Sequence, residues 1–296
     1  MSLPPGTLQA MTSVALVTCA ALPGLDPDEA RVIAPLTARG VTATPVVWDD
    51  DTVDWNDYDL AVLRCAWDYS DRRRDFLAWA DRVPRLHNPG ALIAWNTDKR
   101  YLGDLAASGV PVVPTTWLPP GIDLDLPDTG TWVLKPTVAA GSRDAGRYDL
   151  ADPTHRELAE QHVARLHTAG ATVMLQPYLD DVDANGERAL IFIDGQHSHT
   201  IRKGAMLDGP YTGLDGLYKE ERITPATATD AELAAARAVL AAIPDPNPPL
   251  YARVDLIDHR GEPVLLELEL AEPSLFLGHH PGAADTLAAA IVARLD

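Results

Sequence analysis

Two alternating segments near the C-terminus constrain the fold of this chain more than any other part of its sequence. In residues 253–257 and 265–270, hydrophobic and polar residues alternate, which is the period of a β-strand with one buried face. The connection 259–263 contains Gly and Pro and is typical of a turn. These segments predict an antiparallel hairpin in which Asp255 lies opposite Glu267, because a shift of one residue would turn the leucines outward.

The predicted hairpin brings like charges together. Arg253 and Asp255 share one face of the first strand, and Glu267 and Glu269 share one face of the second. Carboxylates directly opposite each other destabilise a sheet and need a counter-charge. Mg²⁺ with substrate phosphates would supply it, and Arg253 could hold an anionic substrate. The alternative is an ordinary amphipathic hairpin whose carboxylates face solvent while its leucines pack.

The charge of the chain limits its partners. With 296 residues it is long enough for two or three subdomains, and its formal net charge is -19. Such a surface repels nucleic acid and anionic membranes, so we expect neither as a partner. An anionic ligand would need a local basic pocket, which makes the four lysines informative: Lys99, Lys135, Lys203 and Lys219.

Two cysteines, Cys19 and Cys65, make neither a disulfide framework nor a zinc site. We see no apolar run of membrane-spanning length and no signal-peptide pattern, so we expect a cytoplasmic protein with a small-molecule substrate. A homodimer is left open. Residues 1–10 are interpreted as a flexible leader, with Met11 as an alternative start.

The first part of the chain predicts a small α/β domain with a mostly parallel sheet. Strands are predicted at 13–18, 41–48 and 60–63, and helices follow the first and third of them. Ligands bind beyond the carboxyl ends of such strands, where Arg64, Trp67, Asp68 and Tyr69 lie. The alternative is an ordinary polar loop with an aromatic anchor.

The middle of the chain carries cations in an ordered series. Residues 96–98 predict the N-cap of a helix that ends near Gly109, with Lys99 in its first turn. A Pro-rich stretch, 111–120, is the best candidate domain boundary. A strand at 131–136 carries Lys135, and the loop 137–147 of small residues could close over phosphates or be a mobile surface loop. It lacks the P-loop spacing.

Strands are also predicted at 173–179, 187–195 and 199–204, and residues 205–228 are predicted to form a long loop. Gln176 could contact a base edge, and Arg188 is either an edge residue or an anion contact. Helices are predicted at 229–243 and 281–295. We find no internal repeat.

This order of segments resembles the ATP-grasp superfamily, nearest to its glutathione-synthetase-like branch. The resemblance covers residues 89–296 well and the earlier part in outline. It implies an α/β and α+β fold in which an N-terminal α/β domain (11–88) precedes two lobes that clamp ATP. The implied lobes are a central one with a lid (89–179) and a C-terminal one with a magnesium site (180–296).

The resemblance also implies ATP and Mg²⁺ as cofactors and a role for twelve residues. The implied nucleotide contacts are Lys99, Lys135, Gln176, Tyr178 and Leu179, with Asp183 near the ribose, and the implied Mg²⁺ ligands are Asp255, Glu267 and Glu269. The implied cations near the γ-phosphate and the acceptor carboxylate are Arg188, Lys203 and Arg253. Two features depart from the family pattern: Glu269 stands where Asn is common, and the loop 138–147 has fewer glycines.

The implied activity is that of a carbon–nitrogen ligase, which phosphorylates a carboxylate and lets a nitrogen attack the acylphosphate. Segments 64–69, 86–89, 95–99 and 267–276 resemble a subgroup that includes a cyclo-ligase acting on O-ureido-D-serine. That resemblance implies ring closure to D-cycloserine in antibiotic biosynthesis. Two alternatives are an intermolecular amino-acid or peptide ligase and a non-catalytic nucleotide-binding protein. The implied chemistry gives Cys65 no role.

Overall fold

The computed structural model describes residues 12–213 and 222–295. Three four- or five-stranded sheets follow one another along the chain, each with helices packed on it. The predicted leader, 1–10, lies outside the described residues, as do Lys219 and part of the predicted loop 205–228. No helix in the described ranges is both long enough and apolar enough to cross a membrane.

The first sheet is parallel throughout, as predicted. Its strands have the order β2-β1-β3-β4, and the third strand is buried along its whole length because helices cover both faces. The elements are β1 (Ser13–Thr18), α1 (Ile33–Ala38), β2 (Thr42–Val47), β3 (Leu60–Cys65), α2 (Arg73–Ala80) and β4 (Leu86–His87).

The second sheet is antiparallel, with the order β5-β8-β6-β7. Its long helix begins at Pro153, because Asp152 accepts hydrogen bonds from the first-turn N–H groups and Pro153 occupies the first turn. The elements are α3 (Gly90–Asn96), α4 (Tyr101–Ala107), β5 (Thr116–Leu118), β6 (Thr131–Pro136), β7 (Gly146–Asp149), α5 (Pro153–Thr168) and β8 (Val173–Pro177).

The third sheet contains the predicted hairpin and has the order β11-β10-β9-β12-β13, antiparallel throughout. The hairpin turn consists of Arg260 and Gly261, whose φ angles of 58° and 86° suit a tight two-residue turn. The elements are α6 (Asp181–Asn185), β9 (Glu187–Ile193), β10 (Gln196–Lys203), β11 (Ile223–Ala226), α7 (Asp230–Ala241), β12 (Tyr251–His259), β13 (Glu262–Glu269) and α8 (Ala283–Val292).

The structure differs from the sequence prediction around Asn96. This residue ends α3 instead of capping the next helix, and α4 begins only at Tyr101. The Asn96 side chain binds the hairpin backbone, donating to the Leu268 carbonyl (2.8 Å) and accepting from the Leu270 N–H (2.6 Å). A buried amide that satisfies a strand edge in this way is unavailable as a cap. Lys99 therefore precedes the helix instead of lying in its first turn.

Another difference concerns the long loop predicted at 205–228. Ile223–Ala226 forms β11, which extends the third sheet by pairing with β10. Buried side chains of the first and third sheets share one hydrophobic cluster with α1 and α8, so one core joins these two sheets and the two helices. We propose that the chain divides at 88/89 and 179/180, since the three sheets lie within 13–87, 116–177 and 187–269.

Candidate active site

A cavity of about 420 Å³ lies where the three sheets meet. The second sheet contributes Lys135 and Gln176 to its wall, the third contributes Lys203 and the charged face of the hairpin, and the first contributes Tyr69 from the loop after β3. Ten of the twelve residues named from the resemblance line this one cavity, although they lie as far apart in sequence as Lys99 and Glu269.

The hairpin register is the predicted one. Asp255 pairs with Glu267 and Arg253 pairs with Glu269, and a bulge follows Asp255. Leu268 points to the opposite, buried face. The alternative of a solvent-facing hairpin is wrong for the first strand, because Asp255 is only 2% exposed and Arg253 only 6%. The charged face of β12 is therefore part of the interior of the cavity.

Lysine and arginine side chains of the chain itself neutralise the three hairpin carboxylates. Lys203 Nζ lies 2.5 Å from Asp255 Oδ2, and Lys99 Nζ lies 3.1 Å from Glu267 Oε1. Arg253 bonds to both Asp255 and Glu269. In the described ranges, no three His, Cys, Asp or Glu side chains converge closely enough to hold one metal ion. The three carboxylates were predicted to converge on one divalent ion. In the structure each of them instead forms an ion pair with a lysine or an arginine.

The pKa values of these carboxylates follow their partners. Burial favours the protonated form of Asp255, but Arg253 and Lys203 outweigh it and lower its pKa. Lys99 and Lys135 lower the pKa of Glu267 against burial in the same way. Burial raises the pKa of the third carboxylate, Glu269, to about 7. Arg253 only partly offsets this effect, and the negative charges of Glu267 and Asp255 add to it.

The donor set of the hairpin fits a hard divalent cation bound together with a polyphosphate. Mg²⁺ prefers oxygen ligands and usually takes one or two carboxylates plus phosphate oxygens and waters, so it needs no three-carboxylate cage. Lys99 and Lys135 lie beside Glu267, at Nζ distances of 3.1 and 3.8 Å from its carboxylate oxygens. The pKa of Lys135 is lowered by burial, which an adjacent anionic phosphate would reverse.

Residues predicted to contact adenine lie at the end of β8. Gln176, Tyr178 and Leu179 line the cavity. The Gln176 side chain donates to Thr115 Oγ1 at 2.9 Å, and the Tyr178 N–H donates to the Thr131 carbonyl at 2.8 Å. The first bond ties the end of β8 to the residue before β5, and the second holds the segment after β8 against β6. The adenine contact itself stays a prediction.

The small-residue loop after β6 forms another wall of the cavity. Residues 139–143 line it, and the Ala139 carbonyl accepts a hydrogen bond from Lys99 Nζ at 2.6 Å. Arg143 reaches across to Asp71 beside α2, with 3.0 Å between Nη1 and Oδ2. The loop is therefore tied both to a site lysine and to the first sheet, as a loop closing over a ligand would be.

Two of the predicted site residues do not line the cavity. Asp183 lies on α6, where it accepts from the Tyr178 hydroxyl at 2.5 Å, so its proposed ribose contact has only indirect support. Arg188 lies on the opposite face of β9, because it pairs with Leu256 whereas Asp255 faces the cavity. Its Nε is 3.4 Å from Glu232 of α7. This placement contradicts the prediction that Arg188 lies near the γ-phosphate.

Arg188→Ala is accordingly expected to change KM for ATP and kcat by less than about twofold. Its partially exposed ion pair with Glu232 contributes only about 0–1 kcal/mol to stability. Steady-state ADP release and thermal melting measure both effects, with Lys203→Ala as the comparison on the cavity side of the same sheet. A loss of activity in Arg188→Ala as large as in Lys203→Ala would return Arg188 to the site.

The end of β3 and the loop after it contribute to the site differently from the prediction. Arg64 is completely buried and bonds to Glu29 through Nε (2.8 Å) and Nη2 (2.6 Å), so it is a structural ion pair rather than a ligand contact. Trp67 and Tyr69 do line the cavity, whereas Asp68 binds the indole N–H of Trp48.

The sequence analysis also missed Glu272. It follows the two hairpin glutamates at a spacing that matches no simple strand period, so only its neighbours in sequence could have pointed to it. Glu272 lines the cavity and is 8% exposed. Burial and the charge of Glu269 raise the pKa of Glu272 to about 8.

Comparison with known proteins agrees with this geometry. Residues 14–88 match the family model of the N-terminal domain of D-cycloserine synthetase DcsG. The chain is 39% identical to the cycloserine biosynthesis protein DcsG of Streptomyces lavendulae, over 96% of this chain and 99% of that protein.

Solved structures extend the comparison to the fold. The crystal structure of D-cycloserine synthetase DcsG superposes with a TM-score of 0.86 at 39% identity, covering 96% of this chain and 100% of the other. The ATP-grasp ligase PsnB, in a complex with a minimal precursor, Mg and ADP, has a TM-score of 0.58 at 18% identity, covering 96% and 97%. The latter supports the fold alone. The fold is that of ATP-grasp ligases. Because identity at the 39% level spans nearly the whole length of both proteins, this chain belongs to the family of the D-cycloserine synthetase DcsG.

Proposed function

We propose that this protein uses ATP and Mg²⁺ to close O-ureido-D-serine into D-cycloserine. The observation that carries the proposal is the 39% identity to the S. lavendulae cycloserine biosynthesis protein over 96% of the chain. The cavity supports it chemically, since buried lysines and arginines alternate there with carboxylates. Such an arrangement suits a phosphoryl transfer, which depends mostly on positioning and on electrostatic stabilisation.

The reaction consists of two displacements. An oxygen of the substrate carboxylate attacks the γ-phosphorus of ATP, and ADP leaves with the electrons of the broken bond. The aminooxy nitrogen of the same molecule then attacks the acyl carbon, phosphate leaves, and the five-membered ring closes. Hydrolysis of the carbamoyl group releases it as CO₂ and ammonia, so one ATP and one water are consumed for each ring that forms.

The cations of the cavity have separate tasks in this scheme. Lys99 and Lys135 would bind the phosphates of the nucleotide, and Lys203 and Arg253 would hold the transferred phosphoryl group and the substrate carboxylate. Asp255, Glu267 and Glu269 would hold Mg²⁺, which when bound neutralises charge developing on the phosphate oxygens. The loop 137–147 would exclude water, which would otherwise hydrolyse the acylphosphate.

The test combines ADP release with analysis of the product. Purified protein with ATP, Mg²⁺ and O-ureido-D-serine is expected to release one ADP per molecule of D-cycloserine, with the product identified by mass spectrometry and chiral chromatography. Heat-inactivated protein and a reaction without Mg²⁺ are the controls. No ADP above background would overturn the proposal, and ADP release that requires a second amine would indicate an intermolecular ligase instead.

A further inference from the structure

One carboxylate of the cavity differs from all the others in the described residues. Asp26, Asp28, Glu29, Glu187 and the three hairpin carboxylates each accept a hydrogen bond or lie within 4.0 Å of a lysine or arginine nitrogen. Among the described residues, none donates a hydrogen bond to the Glu272 carboxylate, and no lysine or arginine nitrogen lies within 4.0 Å of it. Glu272 is nevertheless more than nine-tenths buried. An uncompensated buried carboxylate is costly to retain, so its position calls for a ligand.

The backbone around Glu272 is held unusually firmly. The carbonyls of residues 271–274 accept side-chain hydrogen bonds in turn, from Tyr251 (2.9 Å), Trp67 (2.9 Å), Arg64 (2.8 Å) and Arg253 (3.2 Å). The Leu275 N–H donates to Glu29 at 2.8 Å. Four side chains thus fix the main chain on both sides of Glu272 and leave its carboxylate available. A group positioned in advance in this way loses little entropy when it binds a partner.

The partner must be a cation that fits beside the phosphoryl-transfer residues. Glu272 is close enough to Glu267, Glu269, Lys99 and Arg253 for their charges to act on its pKa. Trp67 and Tyr69 line the same cavity, and the Trp67 indole N–H donates to the Glu272 carbonyl. An α-amino acid whose carboxylate is held by Arg253 carries its ammonium group only one carbon away from that carboxylate. The ammonium group is therefore the one cationic part of such a substrate that can reach this corner of the cavity.

We propose that the Glu272 carboxylate binds the α-ammonium group of the amino-acid substrate and so selects zwitterionic amino acids. This inference rests on the proposed function, because it assumes an amino-acid substrate with its carboxylate at the phosphoryl-transfer end. It assigns a binding subsite for the amino group. The hairpin carboxylates cannot provide this subsite because each already pairs with a lysine or an arginine, and the lysines cannot because they are themselves cations. Burial and Glu269 raise the pKa of Glu272 to about 8, and a bound ammonium group would lower it again, since a nearby cation favours the ionised carboxylate.

The decisive experiment compares two substrates and two proteins. One substrate is O-ureido-D-serine and the other is its deamino analogue, in which hydrogen replaces the α-amino group. Wild-type enzyme is expected to prefer the amino compound by about 10- to 100-fold in kcat/KM, the range of a hydrogen bond between charged groups. In Glu272→Gln this preference is expected to fall to within about threefold through a higher KM for O-ureido-D-serine. KM for ATP should stay within about twofold of wild type.

Matched controls separate this role from a structural one. Glu262→Gln, an isosteric change at the exposed end of β13, is expected to leave the preference intact. Should Glu272→Gln fail to fold, calorimetric binding of both compounds to the wild type with a non-hydrolysable ATP analogue replaces it. Equal affinity for the two compounds would overturn the proposal.

Other outcomes have equally clear meanings. If Glu272→Gln retains the wild-type preference, or loses kcat while KM and preference stay unchanged, Glu272 does not bind the ammonium group; the second pattern would indicate a general base. If wild-type protein binds O-ureido-D-serine better than the deamino analogue, Glu272→Gln loses this preference, and the wild type releases no ADP, the proposed cyclo-ligase function fails while the assignment of Glu272 stands. Absence of any binding of O-ureido-D-serine would overturn both.

Discussion

Glu267→Gln is expected to lower ADP release by at least about 10³-fold, a loss of about 4 kcal/mol in transition-state stabilisation. Glu267 lies at the centre of the charge network, with Lys99 and Lys135 on its two oxygens and Asp255 opposite it on the hairpin. The neutral amide keeps the shape of the side chain. It removes a proposed Mg²⁺ ligand and the charge that positions both lysines.

The same variant is also expected to unfold at a lower temperature. From its sequence position alone Glu267 should contribute little to stability, but the structure pairs it with two largely buried lysines. Because Glu267 itself is partly exposed, we expect a loss of about 1–3 kcal/mol, between the values for exposed and buried pairs. Melting curves measure this, with Glu262→Gln as control. Turnover within tenfold of wild type would remove Glu267 from the catalytic machinery.

Arg64→Met is expected to produce the largest loss of stability, about 3–5 kcal/mol, because it leaves the buried Glu29 carboxylate without its charge partner. The guanidinium also donates to the Pro273 carbonyl and lies over the Tyr251 ring, 4.5 Å from its centroid. Methionine fills part of the volume but provides none of these contacts. For a chain of this size the melting temperature should fall by roughly 6–20 °C.

A double variant separates the loss of charge from the loss of packing. Glu29→Gln combined with Arg64→Met removes both charges, so it is expected to be less destabilised than the sum of the two single variants by about 1–3 kcal/mol. Thermal and urea unfolding of the four proteins complete the cycle. If the two single effects simply add, the ion pair contributes nothing specific and the cost of Arg64→Met is a packing cost.

Local patterns predicted the elements that carry the site. The period of two placed β12 and β13 and their register, since only one register buries the leucines. Local capping also fixes the start of two helices in the structure: Asp152 caps α5, and Thr229 caps α7 in a reciprocal capping box with Glu232. These signals work because their energies come from residues within one or two turns of each other.

Other residues were misplaced because long-range contacts override local preference. Asn96 has the chemistry of an N-cap, yet it satisfies backbone groups of the hairpin 172 and 174 residues away. Arg188 lies at the start of one apolar strand, and Lys203 lies at the end of another. Because side chains alternate between the two faces of a sheet, Arg188 points toward α7 and Lys203 toward the cavity. Which face of a strand becomes the site depends on what the neighbouring layers cover, and no local pattern encodes that.

The amino-acid sequence by itself therefore determined most of the central strands, the hairpin register and the family of this protein. The tertiary structure decided how its charges are matched: Lys99 with Glu267, Lys203 with Asp255, Arg64 with Glu29, and Glu272 with no group in the described residues. The physical reason is range. Periodicity and capping act between neighbours in sequence, whereas the pairing of a buried charge depends on which distant side chains the packed layers bring within a few ångströms.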